Sequence, residues 1–215
     1  MNTGALWLTV VALGLYHGLN PAMGWSLAVA NGMTERRAAA VFATMLPLGG
    51  GHFLAIAVAL APFAWLGWYL EWHRAIRIGA GLAVLLFGVF KLVRRRHPRM
   101  LARIAPTRLA WWSFLMATAH GAGLMLVPFM LGLCAAPVPG HHPAVMASLA
   151  QTNLRTAMLV AIVHTVATLL AGIVMAWIVY RYLGLRFLRQ AWLNLDAVWG
   201  LSLVLAGAAG IAFSM

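Results

Sequence analysis

Four histidines fall inside long apolar stretches of this chain, where ionisable side chains are rare. His17 and His120 occupy corresponding places in the two halves, because each is followed by a glycine, and a second histidine follows in each half, His52 and His164. Ionisable groups inside hydrophobic spans are costly and usually face a protein interior or a water-filled path. Matched histidines in two halves therefore indicate a site formed where the halves meet.

Transition-metal binding is the chemistry that these four side chains suit best. Imidazole is a borderline-soft ligand for zinc, copper, nickel and cobalt. Counted along their spans at ~1.5 Å per residue, all four histidines lie near the middle of the membrane. A permanent four-ligand cage would hold its ion too firmly to release it, so we expect two or three to bind at one time. The metal would then be a substrate, with no tightly bound cofactor.

Other side chains near these positions are open to two interpretations. Four of the 12 methionines lie within a few turns of the histidines: Met23, Met45, Met116 and Met125. In so apolar a chain we interpret them as core-filling residues, although thioethers would favour copper(I). Asp196 is the one carboxylate that could enter the membrane, and it aligns with Arg77 of the first half. A structural ion pair or helix cap and a proton relay are both open for Asp196.

Composition places the chain among integral membrane proteins. It is 64% hydrophobic with a mean hydropathy of +0.90, and 8% of its residues are charged, against about a quarter in soluble domains. The net charge of +12 resides in short loops between apolar runs, so we interpret it as a topology signal and expect no nucleic-acid partner. With three acidic residues in all, no paired-carboxylate or Ser–His–acid arrangement can be assembled, and we expect no enzyme.

Apolar runs long enough to cross a core of ~30 Å predict an all-α protein with six transmembrane helices. They cover residues 4–31, 37–67, 75–93, 109–135, 153–180 and 188–213. All but three of the 15 Lys and Arg residues lie in the loops after spans one, three and five, the exceptions being Arg74, Arg77 and Arg155. This bias predicts that those loops are cytoplasmic and that both termini lie outside, in a bacterial inner membrane.

The two halves, 1–97 and 98–215, align as three-helix repeats within one membrane domain. Besides the histidines, Gly81 and Gly88 correspond to Gly200 and Gly207. A repeated unit with an odd number of spans must enter the membrane from opposite sides, which makes an inverted repeat of the kind found in many transporters. The glycine-rich stretches 79–81 and 200–210 also suggest a homodimer interface.

Helix-breaking residues flank the histidines and predict that helices 1, 2 and 4 are broken near the midplane. Asn20-Pro21 follows His17, and Pro47 precedes a run of three glycines directly before His52. Gly121, Gly123 and Pro128 interrupt the fourth span. Irregular backbone at this depth survives when it is buried or lines a cavity. We therefore expect free carbonyl groups at the first break. The residues predicted to form the substrate path are His17, Asn20, Pro21, Gly49, Gly50, Gly51 and Asp196.

Three stretches resemble the LysE superfamily of small six-span transporters, which includes amino-acid exporters and nickel/cobalt exporters of the NicO and RcnA type. They are LGLYHGLNP at 13–21, NGMTERR at 31–37 and RIGAG at 77–81. The His-Gly-x-x-Pro of span one is similar to the His-Ala-x-x-Pro-Gly-His stretch of the nickel/cobalt exporters, and Gly51-His52 to their Ser-His. This chain has Met23 and Asn20 where those exporters have a second histidine and an acidic residue. The resemblance implies export.

Three functions are therefore compatible with the sequence. The first is export of a transition-metal ion with His17, His52, His120 and His164 as ligands. The second is export of an amino acid or another small organic solute, whose carboxylate would meet the ends of broken helices. The third is a transmembrane b-type cytochrome, in which paired histidines ligate haem iron. Haem would place the histidines in two layers, whereas the depths above place them in one.

Overall fold

The computed structural model describes residues 3–66, 73–93, 108–134, 143–183 and 195–212, and every regular element within them is helical. The helices are α1 (Thr3–Leu19), α2 (Trp25–Glu35), α3 (Ala38–Leu66), α4 (His73–Val93), α5 (Leu109–His120), α6 (Ala122–Leu133), α7 (Pro143–Ile178) and α8 (Leu195–Ala212). A short 3₁₀ turn, Pro21–Met23, joins α1 to α2, and a wider turn, Val179–Leu183, extends α7. The all-helical prediction is confirmed for these residues.

Fewer helices meet the length of a membrane span than the sequence predicts. Within the described ranges, Ala38–Pro62 and Gln151–Leu183 are long and apolar enough to cross a membrane. The pair Leu109–His120 and Ala122–Leu133 counts as a third span if it is taken together across its bend of 66°. Thr3–Leu19 and Gly81–Phe90 are shorter apolar helices. The chain therefore has two or three helices of spanning length among its described residues.

Local backbone chemistry produces the two helix breaks, one between α1 and α2 and one between α5 and α6. Pro21 has no backbone N–H and disfavours helical geometry in the residue before it, so α1 ends at Leu19 and Asn20 is not helical. Gly24, with φ of 105°, then turns the chain into α2. Gly121, with φ of 73°, separates α5 from α6. Both glycines occupy the left-handed region that residues with a Cβ rarely adopt. The predicted breaks in helices 1 and 4 are confirmed.

The predicted break in helix 2 is wrong, because α3 continues as one helix of 29 residues through Pro47 and the three glycines. Two of those glycines serve close packing. A Cβ on Gly51 would overlap the carbonyl oxygen of Ala110 in α5, and a Cβ on Gly49 would lie 2.6 Å from the side chain of Leu169 in α7. Gly50 has no atom within 4 Å of its Cβ position and is exposed. The glycine run is thus a contact surface for neighbouring helices.

Helix packing pairs α1 with α7, α3 with α5 and α7, and α4 with α8. In the α4–α8 pair, a Cβ on Gly81 would lie 3.1 Å from the carbonyl oxygen of Gly207, and a Cβ on Gly88 would lie 2.9 Å from that of Gly200. The reverse contacts, from Gly207 to Gly81 and from Gly200 to Gly88, are 2.6 and 3.3 Å. Gly81, Gly200 and Gly207, which belong to the stretches that suggested a homodimer interface, thus make contacts within the chain, and the homodimer stays a prediction. The two helices run antiparallel through the pairs.

Two apolar cores lie on opposite sides of the histidine level. On α3 and α7, residues on one side of the histidine belong to the first core and residues on the other side belong to the second, whereas α1 contributes to the first core and α2 to the second. The first core includes Leu6, Val10, Ile56, Leu60, Val160 and Ala161. The second core includes Trp25, Val41, Met45, Leu48, Ala176 and Val179. The histidines therefore form a polar layer between two hydrophobic ones.

Candidate metal centre

Three of the four predicted histidines meet in one cluster, which we call the histidine triad: His17 of α1, His52 of α3 and His164 of α7. Their ring centroids are 5.5 Å apart for His17 and His52, 5.0 Å for His17 and His164, and 5.8 Å for His52 and His164. One ring nitrogen of each lies within 4.8 Å of the other two. Their exposed fractions are 0%, 4% and 0%, so the triad is closed to bulk solvent.

Small residues on α1 bring His17 to the level of His164. Gly14, His17 and Gly18 share one helix face, being three and four residues apart. A Cβ on Gly14 would lie 2.7 Å from the carbonyl oxygen of His164, and a Cβ on Gly18 would overlap that of Thr168. Only a glycine at each place lets α1 approach α7 so closely. The sequence places a histidine between these two close contacts.

A backbone contact orients His164 toward the triad. Its Nδ1 lies 3.3 Å from the carbonyl oxygen of Val10. Because a carbonyl can only accept a hydrogen bond, Nδ1 is the protonated nitrogen and Nε2 carries the lone pair. Metal-binding histidines are commonly held in this way, with one nitrogen on a backbone carbonyl and the other free for the ion. The tautomer of His164 is therefore the one that a metal ligand needs.

Two ring nitrogens of the triad lack a protein partner within the described part of the chain. The Nε2 atoms of His52 and His164 are fully buried and make no hydrogen bond there. A buried polar atom without a partner costs about 1–3 kcal/mol, so native proteins keep few of them without a reason. Two such nitrogens in one cluster fit a site that binds a cation through lone pairs.

Triad geometry suits a small cation with an incomplete ligand shell. Nitrogens bound to one zinc-like ion at ~2.0–2.1 Å lie about 3.4 Å from one another. The present separations, all within 4.8 Å, reach that value through small rotations of the rings. Three histidines leave at least one coordination position for water or for an incoming ligand, as in open metal sites. The cluster can therefore bind an ion without enclosing it.

A small cavity adjoins the triad on the side of the second core. Its volume is about 10 Å³, which is room for one water molecule. Thr165 lines it, and the hydroxyl of Thr165 is buried without a hydrogen-bond partner among the described residues. The lining residues are Gly18, Met23, Trp25, Met45, Leu48, Gly49, His52, Thr165, Thr168, Leu169 and Gly172. Thr165 was not among the predicted site residues; its place directly after His164 was the available signal.

His120 lies outside the group of three. It is the last residue of α5, is buried, and its Nδ1 lies 2.7 Å from the carbonyl oxygen of Met116. It immediately precedes a break, since Gly121 follows in the left-handed conformation, whereas α1 continues for two residues after His17. The structure thus brings together three of the four predicted ligands and places the fourth at the bend between α5 and α6.

Protein groups occupy the carbonyls at the first break, contrary to the prediction that they are free. The indole N–H of Trp25 donates to the carbonyl of Leu19 at 3.2 Å, and the hydroxyl of Ser26 donates to that of Pro21 at 3.0 Å. The carbonyl of Asn20 accepts the backbone N–H of Met23 at 3.0 Å. The side chain of Asn20 and the ring of Pro21 are buried. This break is therefore a fixed corner that follows His17.

The remaining predicted path residues are spread over the molecule. Gly49 lines the cavity, Gly51 contacts α5, and Gly50 faces outward. Asp196 lies in the first turn of α8, and its side chain is outside the described part of the chain. Of the glycine run, only Gly49 is at the candidate site.

Comparison with protein-family models, with curated proteins and with solved structures found no match to this chain. We therefore infer function from the geometry of the histidine triad.

Proposed function

We propose that this chain is a membrane transporter for a transition-metal cation and that His17, His52 and His164 bind the ion. The observation that carries the proposal is the set of three buried imidazoles on three different helices, two of which present Nε2 atoms without a partner among the residues that the structure describes. A structural role would pair those nitrogens, because an unpaired buried polar atom is destabilising. Zinc, copper, nickel and cobalt are the ions that suit imidazole.

The membrane arrangement we propose is six spans in two inverted three-helix units, 1–97 and 98–215. Reciprocal contacts support it: Gly81 faces Gly207 as Gly200 faces Gly88, which is the exchange that a two-fold axis relating the halves requires. The packing of α1 on α7 likewise has a counterpart in that of α5 on α3. The basic loops favour an inner membrane with both termini outside.

Transport, rather than permanent metal storage, is supported by the ligand number and the breaks. Three ligands leave the ion exchangeable, and the triad spans helices from both proposed units. His17 lies in the last turn of a helix that ends two residues before Pro21. Export is the direction that the family resemblance implies. A cavity with room for one water gives less support to an amino-acid substrate or to a porphyrin between the rings.

Metal binding by the purified protein tests the proposal. Detergent-solubilised protein is incubated with Zn²⁺, Ni²⁺, Co²⁺ or copper(I), desalted, and analysed for bound metal. We expect at least one ion per chain, and the ion bound by the triad should be lost in His17→Ala, His52→Gln and His164→Ala. Thr156→Ala is the matched control on α7, because its hydroxyl is exposed and bonds within its own helix.

Transport is then measured with the same proteins in vesicles that enclose a metal-sensitive dye. Wild type and Thr156→Ala should move the ion, and the triad variants should not. Gel filtration and circular dichroism confirm that each variant is folded, and the glutamine variant keeps a side chain of similar size. Wild-type protein that binds no metal, or triad variants that bind it as well as wild type, would refute the proposal.

A further inference from the structure

The cavity beside the triad has two methionines in its wall. Met23 of the 3₁₀ turn and Met45 of α3 line it together with His52. Met45, Leu48, Gly49 and His52 repeat at spacings of three and four residues and so share one face of α3. Along the helix axis, Met45 is two turns, or ~10 Å, from His52. Met45 is therefore a separate position along the cavity and not a fourth ligand of the triad.

The opposite wall of the cavity follows the same spacing on α7. Thr165, Thr168, Leu169 and Gly172 line it, starting directly after His164. At the far end, the Cβ position of Gly172 lies 3.0 Å from the terminal methyl of Met45. The thioether of Met45 thus occupies space that a side chain at position 172 would take. Between these two helix faces, the cavity extends from His52 at one end to Met45 and Gly172 at the other.

The end of the cavity that contains Met45 lies between the triad and the basic ends of α3 and α7. On α3, Met45 is on the side of His52 where the helix begins, next to Arg36 and Arg37. On α7, Gly172 is on the side of His164 that leads to Arg181. The opposite side of the triad is filled by the first core, whose members Val10, Ile56 and Val160 are 0% exposed. The cavity thus lies on the side of the triad that the charge bias marks as cytoplasmic.

We infer that the transported ion is copper(I) and that Met23 and Met45 form a second, thioether binding position between the triad and the basic face. This inference rests on the proposed function and specifies its substrate. Thioethers are neutral, soft ligands that select copper(I), whereas imidazole alone also accepts zinc, nickel and cobalt. The ion passes from sulfur to nitrogen ligands as copper(I), and no electron is transferred. Met45 also packs in the second core, and both methionines border the same cavity as Thr165, whose buried hydroxyl has no partner among the described residues.

Conservative substitutions separate thioether binding from packing. Leucine has nearly the volume of methionine and no sulfur, so Met23→Leu and Met45→Leu should fold like wild type. Met125→Leu is the matched control, because Met125 is a fully buried methionine of the first core, away from the cavity. Uptake of copper(I) under reducing conditions, of Ag⁺ as its redox-inert analogue, and of Zn²⁺ is measured in vesicles. We expect each cavity variant to lower Cu(I) and Ag⁺ flux about tenfold, with the metal content of the triad unchanged.

X-ray absorption on wild-type protein loaded with Ag⁺ at two ions per chain provides a readout that needs no variant. Sulfur together with nitrogen around silver is the expected result. Nitrogen alone, or cavity variants that transport like Met125→Leu, would overturn the thioether position. Transport of Zn²⁺, Ni²⁺ or Co²⁺ without copper(I) would overturn the substrate assignment while leaving the triad proposal in place. Wild-type protein that binds no metal at all would overturn both.

Discussion

Adding one methyl group at either of two adjacent glycines of α3 should change stability in opposite directions. At Gly51, the new Cβ would overlap the carbonyl oxygen of Ala110 and lie 2.9 Å from its carbonyl carbon and 3.0 Å from the backbone nitrogen of Phe114. Backbone atoms cannot rotate away, so α3 and α5 must separate, at a cost of about 1–3 kcal/mol. At Gly50 nothing lies within 4 Å, and alanine gains roughly 0.5–1 kcal/mol of helix stability. We expect the two variants to differ by about 1.5–4 kcal/mol.

The free energies of unfolding are measured by titrating sodium dodecyl sulfate into mixed micelles and following helicity and tryptophan fluorescence. Metal content provides a second readout, because His52 follows Gly51 directly and its position relative to His17 changes if α3 is displaced. Gly51→Ala should lose both stability and bound metal, and Gly50→Ala should lose neither. Equal midpoints for the two variants, or a larger loss for Gly50→Ala, would refute the interpretation of this glycine run as a packing surface.

Three further substitutions have expected outcomes in the same titration. Trp25→Phe removes the donor to the carbonyl of Leu19 and should lower the free energy of unfolding by about 1–2 kcal/mol; an unchanged value would mean that the indole does not hold the first break. Arg36 has a left-handed backbone conformation, with φ of 53°, at the end of α2. Arg36→Gly should therefore raise the free energy of unfolding by roughly 0.5–1 kcal/mol, and a lower value would contradict this reasoning. His52→Leu removes a buried unpaired nitrogen and should stabilise the metal-free protein by about 1 kcal/mol while abolishing metal binding; destabilisation of the metal-free form would show that the ring is paired in solution.

The positions of two helices could be predicted closely from hydropathy alone. The predicted runs 37–67 and 75–93 correspond to helices Ala38–Leu66 and His73–Val93. Length and apolarity are local properties of the sequence, and so is the effect of Pro21, which acts on its own backbone and on the residue before it. These features needed no knowledge of which helices are neighbours.

Continuity of α3 could not be predicted in this way, because it depends on which helices pack against it. Pro47 and the glycines after it are breaking residues by local propensity, as Asn20-Pro21 is. Their outcome differs because α5 and α7 approach Gly51 and Gly49 closely, and packing overrides intrinsic helix preference. A contact between residues distant in sequence leaves no sign in the local pattern.

The composition of the triad was predictable only in part for a related reason. Counting residues along a span gives the depth of a side chain, but not the direction in which it leaves the helix. His17, His52 and His164 share both depth and direction, whereas His120 ends α5 at a bend of 66° and lies outside the group. Likewise, Met45 and Thr165 could be recognised as cavity residues only once the faces of α3 and α7 were known to meet.

The histidine triad is energetically costly compared with the apolar side chains that could occupy the same positions. A layer of leucines at this level would join the two apolar cores into one, and each buried unpaired nitrogen now costs about 1–3 kcal/mol relative to such a core. Two of them consume a sizeable share of a net stability that is typically ~5–15 kcal/mol. Close glycine contacts on α1 hold His17 against α7, and the carbonyl of Val10 fixes the tautomer of His164. The surroundings of the triad therefore destabilise the metal-free protein and at the same time orient the histidine rings. A bound cation would supply the partner that the buried nitrogens lack, which gives this arrangement a physical reason.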